Sequence, residues 1–172
     1  EILEPTDAVI ASPPMVKLEA GAQQQFRVMR VKPSDKQTEE AYRLIVDELP
    51  APDAKPRKGI QLVMRYSLPL FVNVQNNAEP KLQWRAEKAA NGKAVLVAEN
   101  TGNAHAQLSN ITFQTTSTKD PLILAGGLAG YVLPGNTWKR ELEVSPASLN
   151  PGRLNATVNG MPIQTEVRFA AP

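Results

Sequence analysis

Gly59-Ile60-Gln61-Leu62-Val63-Met64-Arg65-Tyr66-Ser67-Leu68-Pro69 is the stretch on which the reading of this chain turns. Ile60, Leu62 and Met64 alternate with Gln61, Val63 and Arg65. A period of two describes a strand whose two faces meet different surroundings, so a strand is expected to open near Gly59. Just upstream, Lys55, Arg57 and Lys58 make a basic loop interrupted by proline. Taken alone, the strand reads as an ordinary core-facing one. Taken with the rest of the chain, it reads as an edge strand that offers its apolar row to another protein.

Working outward, the pattern stays that of strands and turns. Glu39 to Leu49 alternates Tyr42, Leu44 and Val46 with Arg43, Ile45 and Asp47, and its β-branched residues favour a strand that ends at Pro50. Farther upstream, Met15, Val16 and Leu18 are expected to form a short strand, Gly21 a turn, and Gln25 to Val31 a second strand. Downstream, Pro69 is expected to interrupt the first stretch before Leu70 to Val74 continues extended. Gln75-Asn76-Asn77-Ala78-Glu79-Pro80 reads as a linker.

After the linker the pattern restarts. Strands are expected at Leu82 to Ala86 and Ala94 to Ala98 around the Asn91-Gly92 turn, and at Gln107 to Thr115. Leu122 to Leu128 is apolar and rich in small residues. Tyr131 to Leu133 leads into the Pro134-Gly135-Asn136 turn, and Trp138 to Val144 follows as a strand. A last hairpin joins Leu154 to Val158 with Ile163 to Phe169 through Asn159-Gly160. Many short strands with regular turns describe β-sandwiches. The expected fold is therefore all-β, with two immunoglobulin-like β-sandwich domains, residues 1–75 and 76–172. A weak echo links their turn-then-strand units at Gly21 and Gly135.

Composition narrows the function. Nineteen basic and 17 acidic residues leave a net charge of +2, without the concentrated basic face that nucleic acid demands. With no cysteine there is no disulfide or thiolate chemistry. No run is long enough to span a bilayer. His105 is the only histidine and reads as a surface residue rather than a metal ligand. Ser109 and Ser145 lack an activating motif, and Gly126-Gly127-Leu128 lacks the Lys and Ser/Thr of a phosphate loop. The aspartates are scattered. Trp84 and Trp138 could line a sugar-binding face, but tryptophans in a sandwich usually belong to the core. The chain is read as a non-enzyme with no cofactor and no metal.

Together these pieces resemble the periplasmic chaperones of the chaperone–usher pilus pathway. The resemblance is carried by Ser12-Pro13-Pro14, the Gly21 turn before Phe26-Arg27-Val28, the run Tyr42 to Pro50, and Arg65-Tyr66-Ser67-Leu68-Pro69-Leu70-Phe71-Val72. Glu99 to Asn103 and Leu133-Pro134-Gly135 fit in the second half. The run from Arg65 is closest to the archaic branch. The resemblance implies a fold of two immunoglobulin-like domains and partners in pilus subunits and an outer-membrane usher. It implies that Ile60, Leu62 and Met64 are lent to a subunit lacking its last strand. It further implies that Arg65 is one of two basic residues anchoring the subunit's C-terminal carboxylate.

Departures from the family pattern are specific. The second anchoring residue belongs to the family's first strand, and nothing before Ser12 resembles that strand. The first domain falls short of about 100 residues, so it reads as incomplete at its N-terminus, and Glu1 without a leader reads as a processed or trimmed start. Its apolar face is then expected to be covered by further N-terminal residues or by self-association with a second copy. Glu48 matches the acidic member of an interdomain ion-pair set, but the basic partner's place holds Leu68. The short span from Leu49 to Ile60 is that of short-loop chaperones. The alternatives are an immunoglobulin-like pilus subunit or adhesin, whose N-terminal donor extension Glu1 to Ala11 does not supply, and a receptor-like or carbohydrate-binding module.

Overall fold

The computed structural model describes residues 3–50, 60, 62–72, 76–115, 119–143 and 151–169. The chain divides into two units, Glu1–Lys36 with Glu40–Val74, and Gln37–Glu39 with Gln75–Pro172. Both are built of β-strands, with no helix among the described residues. The fold is all-β and immunoglobulin-like, as expected.

The first unit contains two antiparallel ribbons. In one, β1 (Val9–Ser12) pairs with β2 (Arg27–Arg30), Val9 opposite Arg30. In the other, β3 (Glu40–Asp47) pairs with β4 (Arg65–Val72), Glu40 opposite Val72 and Asp47 opposite Arg65. The expected strand over Met15, Val16 and Leu18 does not form; these side chains stay exposed and have no partner strand. The strand lies instead at Val9–Ser12, where β2 supplies the ladder. The Gly21 turn is present, with Ala22 N–H donating to Glu19 O at 3.0 Å. Pro69 does not break β4. Among the described residues β4 pairs with β3 alone, and an open strand edge tolerates a residue without an N–H. β4 also opens at Arg65 rather than near Gly59, because its partner strand β3 ends at Asp47.

Among the described residues the second unit is a sandwich of seven strands. One sheet has the order β11-β10-β7-β8 and the other β5-β6-β9. The strands are β5 (Leu82–Lys88), β6 (Ala94–Asn100), β7 (Ala106–Thr115), β8 (Leu122–Val132), β9 (Thr137–Leu142), β10 (Gly152–Val158) and β11 (Met161–Val167). The Asn91-Gly92 and Asn159-Gly160 turns close the expected hairpins, with Gly92 at φ 81°, Asn159 at 49° and Gly160 at 80°. The small-residue stretch from Leu122 is one continuous strand to Val132. Leu96, Leu108, Ile111, Phe113, Leu142 and Leu154 fill the space between the sheets. Along β7 the buried residues step by three from Leu108 to Ile111, because the chain bulges at Asn110, whose φ is 49°. Trp84 and Trp138 pack against this core, edge to face with centroids 6.4 Å apart, as the core reading anticipates.

One polar side chain ties the sandwich together. Asn100, at 0% exposure, donates from Nδ2 to Ala104 O (2.7 Å) and Val132 O (2.8 Å). Its Oδ1 accepts from Lys81 N (3.1 Å) and Gly102 N (3.0 Å). Replacing Asn100 by Ala leaves two buried carbonyls, of Ala104 and Val132, and two part-buried N–H groups, of Lys81 and Gly102, without this partner, and each unsatisfied buried group costs about 1–3 kcal/mol. Asn100→Ala is expected to destabilise the second unit by roughly 3 kcal/mol or more in urea unfolding followed by tryptophan fluorescence, whereas an exposed change such as Gln83→Ala should move it by less than about 0.5 kcal/mol.

Candidate functional site

The start of β4 gathers most of the residues singled out from sequence. Arg65, the first residue of β4, stands opposite Asp47, the last of β3. Its Nε and Nη2 reach Asp47 Oδ1 and Oδ2 at 2.5 and 2.9 Å, a two-point pairing. Hydrogen bonding and the charge of Arg65 hold the Asp47 carboxyl below its ordinary range, and Asp47 in turn raises the Arg65 pKa. Arg65 remains largely solvent-facing, with 73% of its side chain exposed. One residue earlier, Glu48 N–H donates to Met64 O at 2.8 Å and Met64 N–H donates to Glu48 Oε2 at 3.0 Å.

Beyond this point the apolar row is uncovered. Met64 is 53% exposed, Leu62 82% and Ile60 93%. By parity the row continues into β4 as Tyr66 and Leu68, both about half exposed. The basic residues Lys55, Arg57 and Lys58, with Gly59 and Gln61, lie outside the described residues. Arg65 thus opens β4, while Ile60, Leu62 and Met64 precede it outside any strand. Asp47 as the partner of Arg65 escaped the sequence reading. Its signal is present: opposite charges end the two strands that flank a Pro-rich connection.

A second polar cluster roots the first unit. Glu40, its side chain 8% exposed, accepts from Arg30 Nε (2.7 Å), Ser34 Oγ (2.8 Å) and Tyr42 Oη (2.9 Å). It thereby joins β3 to β2, on which Arg30 lies. Burial pushes the Glu40 carboxyl up, but the three hydrogen bonds and the Arg30 charge outweigh it and leave the pKa lowered. Burial, then Glu40 itself, raises the Tyr42 pKa. Beside this cluster Leu3, Val9, Ile10, Val28, Leu44 and Leu70 line an apolar groove of about 360 Å³ between the ribbons.

His105, expected at the surface, is about a quarter exposed and paired. In the second unit its Nδ1 lies 2.7 Å from Glu39 Oε1, its N–H donates to the same oxygen at 3.1 Å, and its ring rests against Tyr131. The partner comes from the Gln37–Glu39 segment, far away in sequence, which spacing could not reveal. Among the described residues no three His, Asp or Glu side chains gather to hold a metal.

The model of pili and flagellar-assembly chaperones, PapD N-terminal domain, matches residues 2–76. A chain of the crystal structure of the CsuC–CsuE chaperone–tip adhesion subunit pre-assembly complex, from archaic chaperone–usher Csu pili of Acinetobacter baumannii, is similar over 96% of this chain and 76% of its own, at 28% identity and a TM-score of 0.63. Residues 2–76 belong to the pilus-assembly chaperone family by this match. Comparison with curated proteins found no match. The family match covers the first unit, and with it both the open start of β4 in this chaperone and its Glu40 cluster. It decides against the alternative of a pilus subunit.

Acid should loosen the Glu40 cluster. A carboxyl whose pKa is lowered on folding stabilises the fold above its unfolded value, and that contribution is lost as pH falls through the folded value. Below the ordinary carboxylate range, about pH 4, protection of the β2 and β3 amides relative to their intrinsic exchange rates should fall in the wild-type chain. Glu40→Gln should exchange faster at neutral pH and respond less to acid. Equal acid responses of the two proteins would remove Glu40 from this role.

Proposed function

We propose that this chaperone binds pilus subunits in the periplasm by donating the segment Ile60 to Met64 as a strand, and delivers them to an outer-membrane usher. It acts as a chaperone of the archaic type and not as an enzyme, and residues 1–75 form its N-terminal chaperone domain. The observation that carries this reading is the apolar row at 93%, 82% and 53% exposure, leading into a strand paired on one side only among the described residues. Fully burying each of these side chains is worth about 1.5–3 kcal/mol, to which strand addition contributes main-chain bonds. Arg65 anchors the subunit's terminal carboxylate, which exchanges with Asp47 for the guanidinium fork. Apolar residues left exposed in the first unit, such as Ile45, Val46 and Phe26, also favour self-association when no subunit is bound.

Leu62→Asp tests the row. It buries an unpaired charge in the subunit groove and should abolish co-purification of a co-expressed pilus subunit, with the second unit still folded by tryptophan fluorescence. Capture at wild-type yield would refute donation through this row. Arg65→Ala should weaken capture about tenfold or more, and Arg57→Ala or Lys58→Ala much less, with the loop effects fading in high salt. Equal, salt-sensitive losses in all three would make Arg65 one more surface charge.

A further inference from the structure

The end of β3 presents two adjacent acidic side chains to the beginning of β4. Asp47 holds the Arg65 side chain, and Glu48 holds the Met64 backbone. In an antiparallel ladder, paired residues exchange main-chain bonds in both directions. At this last pair only one direction follows that pattern, from Glu48 N–H to Met64 O at 2.8 Å. The return bond, from Met64 N–H, ends on the Glu48 side-chain Oε2 at 3.0 Å. Two residues on, Pro50 has no N–H with which to extend the ladder. Ile60, Leu62 and Val63 make no ladder bond to β3 among the described residues. Exposure along the apolar row rises with distance from the clamp, from 53% at Met64 to 82% at Leu62 and 93% at Ile60.

We infer that Glu48 is a positioning residue for subunit capture: its carboxylate closes the β3–β4 ladder at Met64 and sets the point at which the donor segment leaves β3. The inference rests on the donor reading of Ile60, Leu62 and Met64. A row fixed at one end by two acidic residues starts from a defined register, with Ile60, Leu62 and Val63 left outside the β3 ladder among the described residues. A row on an unanchored tether must be ordered during binding, which costs affinity and slows productive encounter. The clamp uses an oxygen acceptor and not a charge as such, so glutamine can replace glutamate.

The test compares Glu48→Ala with Glu48→Gln in the full chain. In the absence of subunit, Glu48→Ala should speed Met64 amide exchange on the order of tenfold, the loss of one hydrogen bond, with Tyr42 and Leu70 unchanged. Against a co-expressed pilus subunit it should lower the association rate several-fold with little change in dissociation. Glu48→Gln should restore both quantities. A merely structural role would instead raise exchange throughout β3 and β4 and would not be rescued. Unchanged Met64 exchange in Glu48→Ala overturns the clamp. Faster exchange with wild-type association overturns the positioning role, provided Leu62→Asp abolishes capture in the same assay. If Leu62→Asp also captures normally, the donor reading fails and the positioning role fails with it, whereas the Met64 exchange result still decides the clamp.

Discussion

Apolar surface has to be covered, and the two units meet that constraint differently. In the second unit the sheets face one another, and Phe113, Leu96 and Leu108 lie at 0% exposure. In the first unit Glu40 is the only described side chain counted as buried, while Ile60, Leu62, Met64, Tyr66 and Leu68 remain half to almost fully exposed. Exposed leucines scattered singly need no explanation, but a row at alternate positions along one strand edge does. Between Ile60 and Met64 the sequence has none of the charges or prolines that usually blunt such an edge. A surface left this way suits a protein whose task is to complete another chain's core.

Holding such a surface open requires something other than a hydrophobic core. In the first unit polar contacts take that place. Glu40 collects Arg30, Ser34 and Tyr42, linking a strand of one ribbon to a strand of the other. Each bond alone is modest, but three on one nearly buried carboxylate restrict the relative placement of β2 and β3. The second unit uses the same device at greater depth. Asn100 satisfies four main-chain groups around the Asn100–Asn103 turn and the end of β8. There the polar network accompanies a packed core, so its loss is felt as stability. In the first unit its loss is felt as disorder of the ribbons that carry the site.

Much of this architecture could be read from residue patterns, and the misses have physical causes. Asn-Gly turns and alternating rows located the hairpins of the second unit within a residue or two, because turn chemistry and burial agree there. The strand at Val9–Ser12 was passed over because its short apolar run stops at two prolines, while Met15 to Leu18 looked better and found no partner. The opening of β4 was set too early because period two persists back to Ile60, whereas a ladder lasts only as long as its partner strand. Side-chain identity marked Arg65 as a possible anchor. That Asp47 already occupies it, and that Glu39 pairs with His105, are consequences of register and long-range packing that no local spacing encodes.

The occupied fork of Arg65 bears directly on how a carboxylate could be captured. A guanidinium facing solvent without a partner samples many rotamers and must be ordered when a ligand arrives. Asp47 orders it beforehand, with two-point geometry that a second carboxylate can copy. Because the pair is largely exposed and screened by water and salt, it contributes little net stability and is readily exchanged. A subunit carboxylate arriving with an apolar strand brings its own desolvation, which strengthens the bonds it makes with the same fork. Asp47 released into water recovers its hydration. On the proposed reading, the pairing that makes Arg65 look spent in the free chain keeps it both aligned and available, and the adjacent Glu48 contact does the same for the backbone of the proposed donor segment.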